Sequence, residues 1–280
     1  MRWVRGAILF ARDEFAKTWG LRALLLVGAG ATAVLSSRWL VMQALATVEA
    51  GGSVTKRWIL EGPDPGSAWQ GPLAKHGLGA LGQWIPFLEL VTEGVLTPPA
   101  AAFAFFATQL LPWVCLACSF AAIAAEAQAG HHAFFFLRVD RSAYLVGRWF
   151  GLTISVALFW VGAAVVHGLM WRPPLHLLLR DAGQLSWTLV ILSAGYLAFG
   201  VAISAWVPRP RRAMVAGAVL LILLPTMVWG ASSWWPPARG FWIAQHSQGM
   251  LALNAEASAL GLLYGLGWLG LGTLALRRLG

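Results

Sequence analysis

Few residues in this 280-residue sequence stand in a pattern that could do chemistry. Cys115 and Cys118 lie one helical turn apart and could hold a soft metal such as Cu(I), but no third ligand accompanies them. Both sit in an apolar run, where cysteine packs as a small hydrophobe. His131 and His132 are adjacent, so on a helix they point in different directions and suit a partner or lipid headgroups better than one metal. Gly77-x-Gly79-x-x-Gly82 follows no strand and reads as chance. His167 reads as a hydrogen-bonded residue between helices, and His246 and Glu256 are too far apart in sequence to make a site. No Ser/His/Asp, paired-carboxylate or HExxH arrangement emerges. No G-x-x-x-x-G-K-[ST] phosphate loop occurs, nor any Gly-Lys pair. The chain therefore reads as carrying no catalytic residue, no metal and no cofactor. If it moves anything uphill, the energy has to come from another subunit.

The elements that would position such groups belong in a membrane. The chain is 59% hydrophobic and only 11% charged, against about 25% charged for a soluble domain. Seventeen tryptophans fit the same environment, because indole favours the membrane–water boundary. The expected fold class is all-α: a polytopic membrane protein forming a single domain over 1–280. Residues 1–20 are basic and helical in period, with Val4, Ile8, Ala11, Phe15 and Trp19 on one apolar face. Six apolar runs then predict spans at about 21–41, 100–125, 149–170, 183–207, 213–230 and 257–276, the second containing Pro112. A long outer loop occupies 43–97, with a short apolar stretch at 84–91 that suits the interface. A Trp- and Pro-rich loop occupies 231–256. Gly261-x-x-x-Gly265 makes the last span smooth enough for close helix packing.

Charge orients these runs. With the N-terminus in the cytoplasm, the inside segments hold thirteen basic residues and four acids (Asp13, Glu14, Glu126, Asp140), while the outside segments hold seven of each. The whole net charge of +9 then lies on one side, as the positive-inside rule requires. Both termini are expected inside, and nucleic-acid binding is not needed to explain the basic balance. The apolar cores of the six runs contain no Asp, Glu, Lys or Arg, which argues against a self-powered pump or ion-coupled carrier. Between the second and third runs, residues 124–148 form a polar, basic segment suited to gripping a partner.

In order along the chain, these features resemble the ABC-2 type permease family, the membrane subunits of ATP-binding-cassette exporters. The amphipathic start resembles the family's elbow helix, with Val4, Ile8, Phe15 and Trp19 on its apolar side. The six-span layout with both ends inside is similar as well. The segment 124–148 carries Glu126, Gly130-His131, Phe134-Phe135-Phe136-Leu137, Arg138-Val139-Asp140-Arg141 and Gly147-Arg148. Members commonly show there an acid, Gly-Thr, a Leu-rich stretch, Pro-Val-Ser-Arg and Gly-Lys. Gly200, Ser204, Arg211 and Ala213 resemble the family pattern at the junction of spans four and five. His131, Arg138 and Arg148 depart from the usual Thr, Pro and Lys.

The resemblance implies a permease moving a substrate with ATP and Mg bound on a separate ATPase subunit. It also implies a second permease copy and a bacterial cytoplasmic (inner) membrane. The 124–148 segment would be the coupling helix, with Glu126, Gly130, His131, Phe134, Phe135, Arg138, Arg141 and Arg148 at the ATPase interface. An alternative within the family is a subunit that transmits force to an extracytoplasmic partner, docked at 43–97 and 231–256, without transport.

Overall fold

The computed structural model describes residues 2–17, 20–49, 90–91, 93–131, 139–231 and 242–278. Every long element among them is an α-helix: α1 (Arg2–Lys17), α2 (Leu21–Glu49), α3 (Pro98–Ser119), α4 (Ala124–Gln128), α5 (Arg141–Trp171), α6 (Leu175–Trp206), α7 (Pro210–Ala231), α8 (Trp242–Leu251) and α9 (Ala255–Arg277). Five helical stretches are long and apolar enough to cross a membrane, with mean hydropathy of 1.6 to 2.0. They correspond to α2, α3 with α4, α5, α6 and α9. The run expected as the fifth span forms α7, 22 residues long. Its side chains are described only as far as Leu223, and it is not among the five.

Local chemistry sets where these helices start. α3 opens on Thr97 followed by Pro98 and Pro99, which lack the N–H groups a first turn would leave unpaired. Asp140 caps α5, accepting from Ser142 N at 2.7 Å and Ala143 N at 3.4 Å. Asn254 caps α9 in the same way, accepting from Glu256 N at 2.8 Å. α5 ends at Arg172 in the left-handed region (φ 47°), and Pro173-Pro174 then prevents the helix from continuing.

α6 is the axis of the bundle. Of its apolar window 94% is buried, against 33% to 39% for α2, α5 and α9. It packs against α3, α5 and α9. Gly195 of α6 and Gly265 of α9 let the backbones meet: a Cβ on Gly265 would lie 3.5 Å from the Gly195 Cα. Gly261 faces Ile191 and Met250, so the smooth stripe expected on the last span packs within this chain. The outward faces of α2, α5 and α9 carry exposed Leu35, Leu158, Val166, Leu262, Leu263 and Leu266, a surface matched to lipid rather than water.

α2 runs on to Glu49 rather than ending near 41, and two helix starts come earlier than the sequence expectation. α5 starts at Arg141 rather than 149, and α6 at Leu175 rather than 183. Asp140 and Pro173-Pro174, not the onset of apolar residues, mark where these helices begin, and the extra two turns carry Arg141, Ser142 and Arg148 in α5 and His176, Arg180 and Asp181 in α6. They carry Arg148 and Asp181 into the bundle, where both are buried. The expected absence of ionisable groups holds for the apolar cores but not for the helices that contain them. Of the two loops expected outside, 43–49 belong to α2 and 242–251 form α8, while 50–89 and 232–241 lie outside the described residues. So does residue 92, and with it most of the interfacial stretch expected at 84–91.

Candidate functional site

α1, the helix expected as the elbow, meets α5 through small residues. Gly147 and Gly151 fall on one face of α5, four residues apart. A Cβ on Gly147 would sit 2.5 Å from the Ala7 carbonyl oxygen and 2.8 Å from the Phe10 Cβ, and one on Gly151 would collide with the Ala11 carbonyl. The two backbones thus approach as glycine alone permits, with Ala7 and Ala11 as the small residues of the opposing helix. Trp3 adds a hydrogen bond at the rim, donating from Nε1 to Ser142 Oγ at 2.8 Å.

This contact buries a charge network. Tyr144 and Arg148 lie one turn apart on the adjoining face of α5, and Phe10 of α1 closes over them. The Phe10 and Tyr144 rings meet edge to face at 4.8 Å, with the Arg148 guanidinium 5.4 and 5.5 Å from their centroids. One terminal nitrogen of Arg148 donates to Asp13 Oδ2 at 2.7 Å and to Glu14 Oε2 at 2.5 Å. The other donates to Glu126 Oε1. Tyr144 donates to the second oxygen of Glu126. Arg22, at the start of α2, pairs with Glu14. Lys17 bridges Asp13 at 2.8 Å and Glu126 at 3.2 Å.

Three cations meet three carboxylates, so the cluster is charge-balanced. It is also graded: Arg148 and Glu14 each expose 1% of the side chain, Glu126 15% and Asp13 49%. Burial alone would raise the Asp13 carboxyl, but the hydrogen bond from Lys17 and the charges of Arg148 and Lys17 hold it below its ordinary value. Such a cluster adds little over an apolar core of the same shape, while removing one partner strands the others. Its value lies in fixing which residues of α1, α2, α4 and α5 meet.

α4 is held in place from the other side. Ser204 of α6 accepts from Ile123 N at 3.0 Å and Ala124 N at 2.9 Å, the start of α4. Ala213 of α7 is fully buried, in a cluster with Leu116, Ala124, Phe199 and Ile203. A Cβ on Gly200 would run into Ser119 at the end of α3. Three of the four residues read as a motif at the α6–α7 junction therefore frame the turn that delivers Glu126.

The expected interface residues separate into groups. Glu126 and Arg148 come together in the network, Arg148 buried in it rather than presented on a surface. Gly130 takes φ 75°, which its lack of Cβ makes easy, and it is exposed with His131. Arg141 donates to the Arg277 carbonyl at 3.2 Å, tying α5 to the end of α9. Phe134, Phe135 and Arg138 lie outside the described residues, as does Trp19. On α1 the packed face is Gly6, Phe10 and Glu14, while Val4 and Ile8, on the face read as apolar, are exposed. These faces stand roughly a third of a turn apart at ~100° per residue. One face of the elbow thus packs on α5 and the other remains outward.

Sequence reasoning did not single out Asp13, Glu14, Lys17, Arg22, Tyr144 or Gly151 as site residues. A signal was available: Asp13-Glu14 are the only acids in a basic elbow, and Gly147-x-x-x-Gly151 begins one residue before Arg148. No protein-family model matches this sequence, and no curated protein matches it significantly.

Proposed function

We propose that this chain is the membrane subunit of an ABC-type exporter, moving its substrate with energy from a separate ATPase. One observation carries the reading: Arg148 is bonded at once to the elbow helix, through Asp13 and Glu14, and to α4, through Glu126. A push on the 124–138 segment by an ATPase would reach α5 and α1 through that single guanidinium. The two-turn extension of α5 makes the lever rigid. Ends of α1, α2, α4, α5, α6, α7 and α9 gather at this pole: Ser204 meets α4, Arg141 meets Arg277, and Arg278 lies 4.7 Å over the Trp206 ring. The segments carrying the thirteen basic residues converge there, which supports a cytoplasmic face. α7 leaves this pole, while α8 packs with α6 and α9 near the start of α9. A helix of 22 residues, ~33 Å long, would cover that distance as the sixth span.

Affinity purification from native membranes tests the reading. A subunit carrying a phosphate-loop sequence should come down with the chain and be lost with Phe135→Ala/Arg138→Glu. Glu126→Gln should keep that subunit bound while uncoupling ATP hydrolysis from substrate. If no such ATPase accompanies the wild-type chain, the proposal fails.

A further inference from the structure

α2 and α5 touch where a Cβ on Gly30 would lie 3.2 Å from the Ala163 Cβ, and a groove of 660 Å³, open to the side, is lined by both helices along that contact. Its floor is Leu26, Gly30 and Val34, and its rim includes exposed Leu35, Leu158 and Val166. The hydroxyl in its lining, on Ser155, already donates to the Gly151 carbonyl at 2.9 Å. An apolar groove of this kind is not a site for water.

Its length suits a hydrocarbon chain. Along α5 it extends from Ser155 to Met170, ~22 Å at 1.5 Å per residue, with apolar side chains along the way. An extended acyl chain can lie in such a slot for its whole length.

The end at the elbow carries a charge. Phe15 of α1 closes the groove there, and Arg12 lies one turn before it on the same side of the helix. Arg12 is exposed and has no hydrogen bond or ion pair among the described residues, unlike Lys17 and Arg22, which are engaged in the network. Arg5 is exposed two further turns along that outward face. An apolar slot with an exposed guanidinium one helical turn beyond its end is complementary to an anionic phospholipid.

We propose that this groove is a lipid site: one acyl chain lies between α2 and α5, and Arg12 holds the phosphate of the anionic headgroup. The site rests only on the bundle sitting in a bilayer and not on the exporter reading. The lipid would fill the space between elbow, α2 and α5, supporting the side of α5 that does not carry the charge network.

The full chain, reconstituted with equal phosphatidylglycerol and phosphatidylcholine and released into native mass spectrometry, gives the test. The wild type should retain one phosphatidylglycerol in preference to phosphatidylcholine by about fivefold, as expected for one basic residue at the membrane surface. Gly162→Leu should lose the retained lipid whatever its headgroup. A Cβ at Gly162 meets nothing within 4 Å, so the new side chain enters the groove without displacing a neighbour. Arg12→Gln, at an exposed position, should keep a lipid and lose the preference. Equal retention of both lipids by the wild type overturns the proposal, as does a Gly162→Leu chain that melts normally and keeps its lipid. Efficient cross-linking between copies through Leu158→Cys, with no lipid retained, would assign the groove to a second copy instead.

Discussion

The bundle has a polar cluster at each end, and the two are built on different principles. At the elbow pole, Arg148, Lys17 and Arg22 meet Asp13, Glu14 and Glu126, side chain to side chain, across α1, α2, α4 and α5. At the opposite pole, side chains hold the first turn of α3 and the turn before it. Asp181 of α6 accepts from the Thr97 hydroxyl at 2.5 Å, supplying the cap that Thr97's own side chain does not. Arg180 pairs with Asp181 at 3.0 Å and donates to the Gly94 carbonyl at 2.5 Å. His167, stacked on Phe103, bridges the Pro99 carbonyl at 2.9 Å and Ser37 Oγ at 3.1 Å. A side chain bonded to a backbone carbonyl at a helix start has one geometry available. Carboxylates sharing a guanidinium can exchange oxygens and partners while the helices shift. The Asp181 cluster clamps a helix start, and the elbow cluster joins four helices through contacts that can exchange.

Breaking each cluster should separate them by size. Arg148→Ala leaves Glu14 buried without its main counter-charge and Glu126 and Asp13 short of one, at a cost of about 3–5 kcal/mol. Thermal unfolding in detergent should show the largest fall of any single substitution at either pole. Arg148→Lys should recover only part of it, because one ammonium cannot reproduce the fork. A loss under 1 kcal/mol for Arg148→Ala would mean that the elbow is held by Gly147 and Gly151 alone. Asp181→Ala removes a cap to α3 and a partner of Arg180, costing about 2 kcal/mol. Arg180 is 30% exposed and can turn to solvent, so that loss should be the smaller. Hydrogen exchange should localise it to the start of α3, whereas Arg148→Ala should loosen α1 along its length.

How much of this the sequence disclosed follows from what each feature depends on. The apolar runs were legible because lipid exposure is a property of composition over some twenty residues. The starts of α5 and α6 were not, because they depend on Asp140 and on Pro173-Pro174, and a hydropathy reading breaks each run at its charged residues, Arg148 in one and Arg180-Asp181 in the other. That error hid Arg148 and Asp181, which look like loop residues until the helix is extended over them. The elbow showed the complementary difficulty. Its period was correct, but an amphipathic helix with a second packed face needs the partner helix to reveal it: Gly6, Phe10 and Glu14 do not stand out until Gly147 and Gly151 are placed against them. The four acids assigned to the inside were read as a minority in a basic field. In the structure three neutralise the buried and bridging cations, and Asp140 caps α5.

Acid should sharpen the contrast further, by the smallest effect. Hydrogen bonds from the Ser142 hydroxyl and backbone hold the Asp140 carboxyl below its ordinary value of 3.8, and Asp13 is depressed as well. A depressed carboxyl contributes stability above its unfolded value and loses it as the pH falls through the folded one. Both contributions should therefore be present at neutral pH and disappear below about pH 3.8. Asn is as good an N-cap as Asp, so Asp13→Asn/Asp140→Asn keeps the cap and removes only the two titrations. That variant should melt below wild type at pH 6 by an amount corresponding to about 1 kcal/mol, from the lost charge on the helix start and the lost pairing. The two proteins should converge as the pH falls below 3.8 and through the depressed folded values of the two acids, since the other carboxyls titrate in both and cancel in the difference. A gap of the same size at both pH values would show that the substitutions act through packing, and that the charge of these two acids does not hold the elbow pole together.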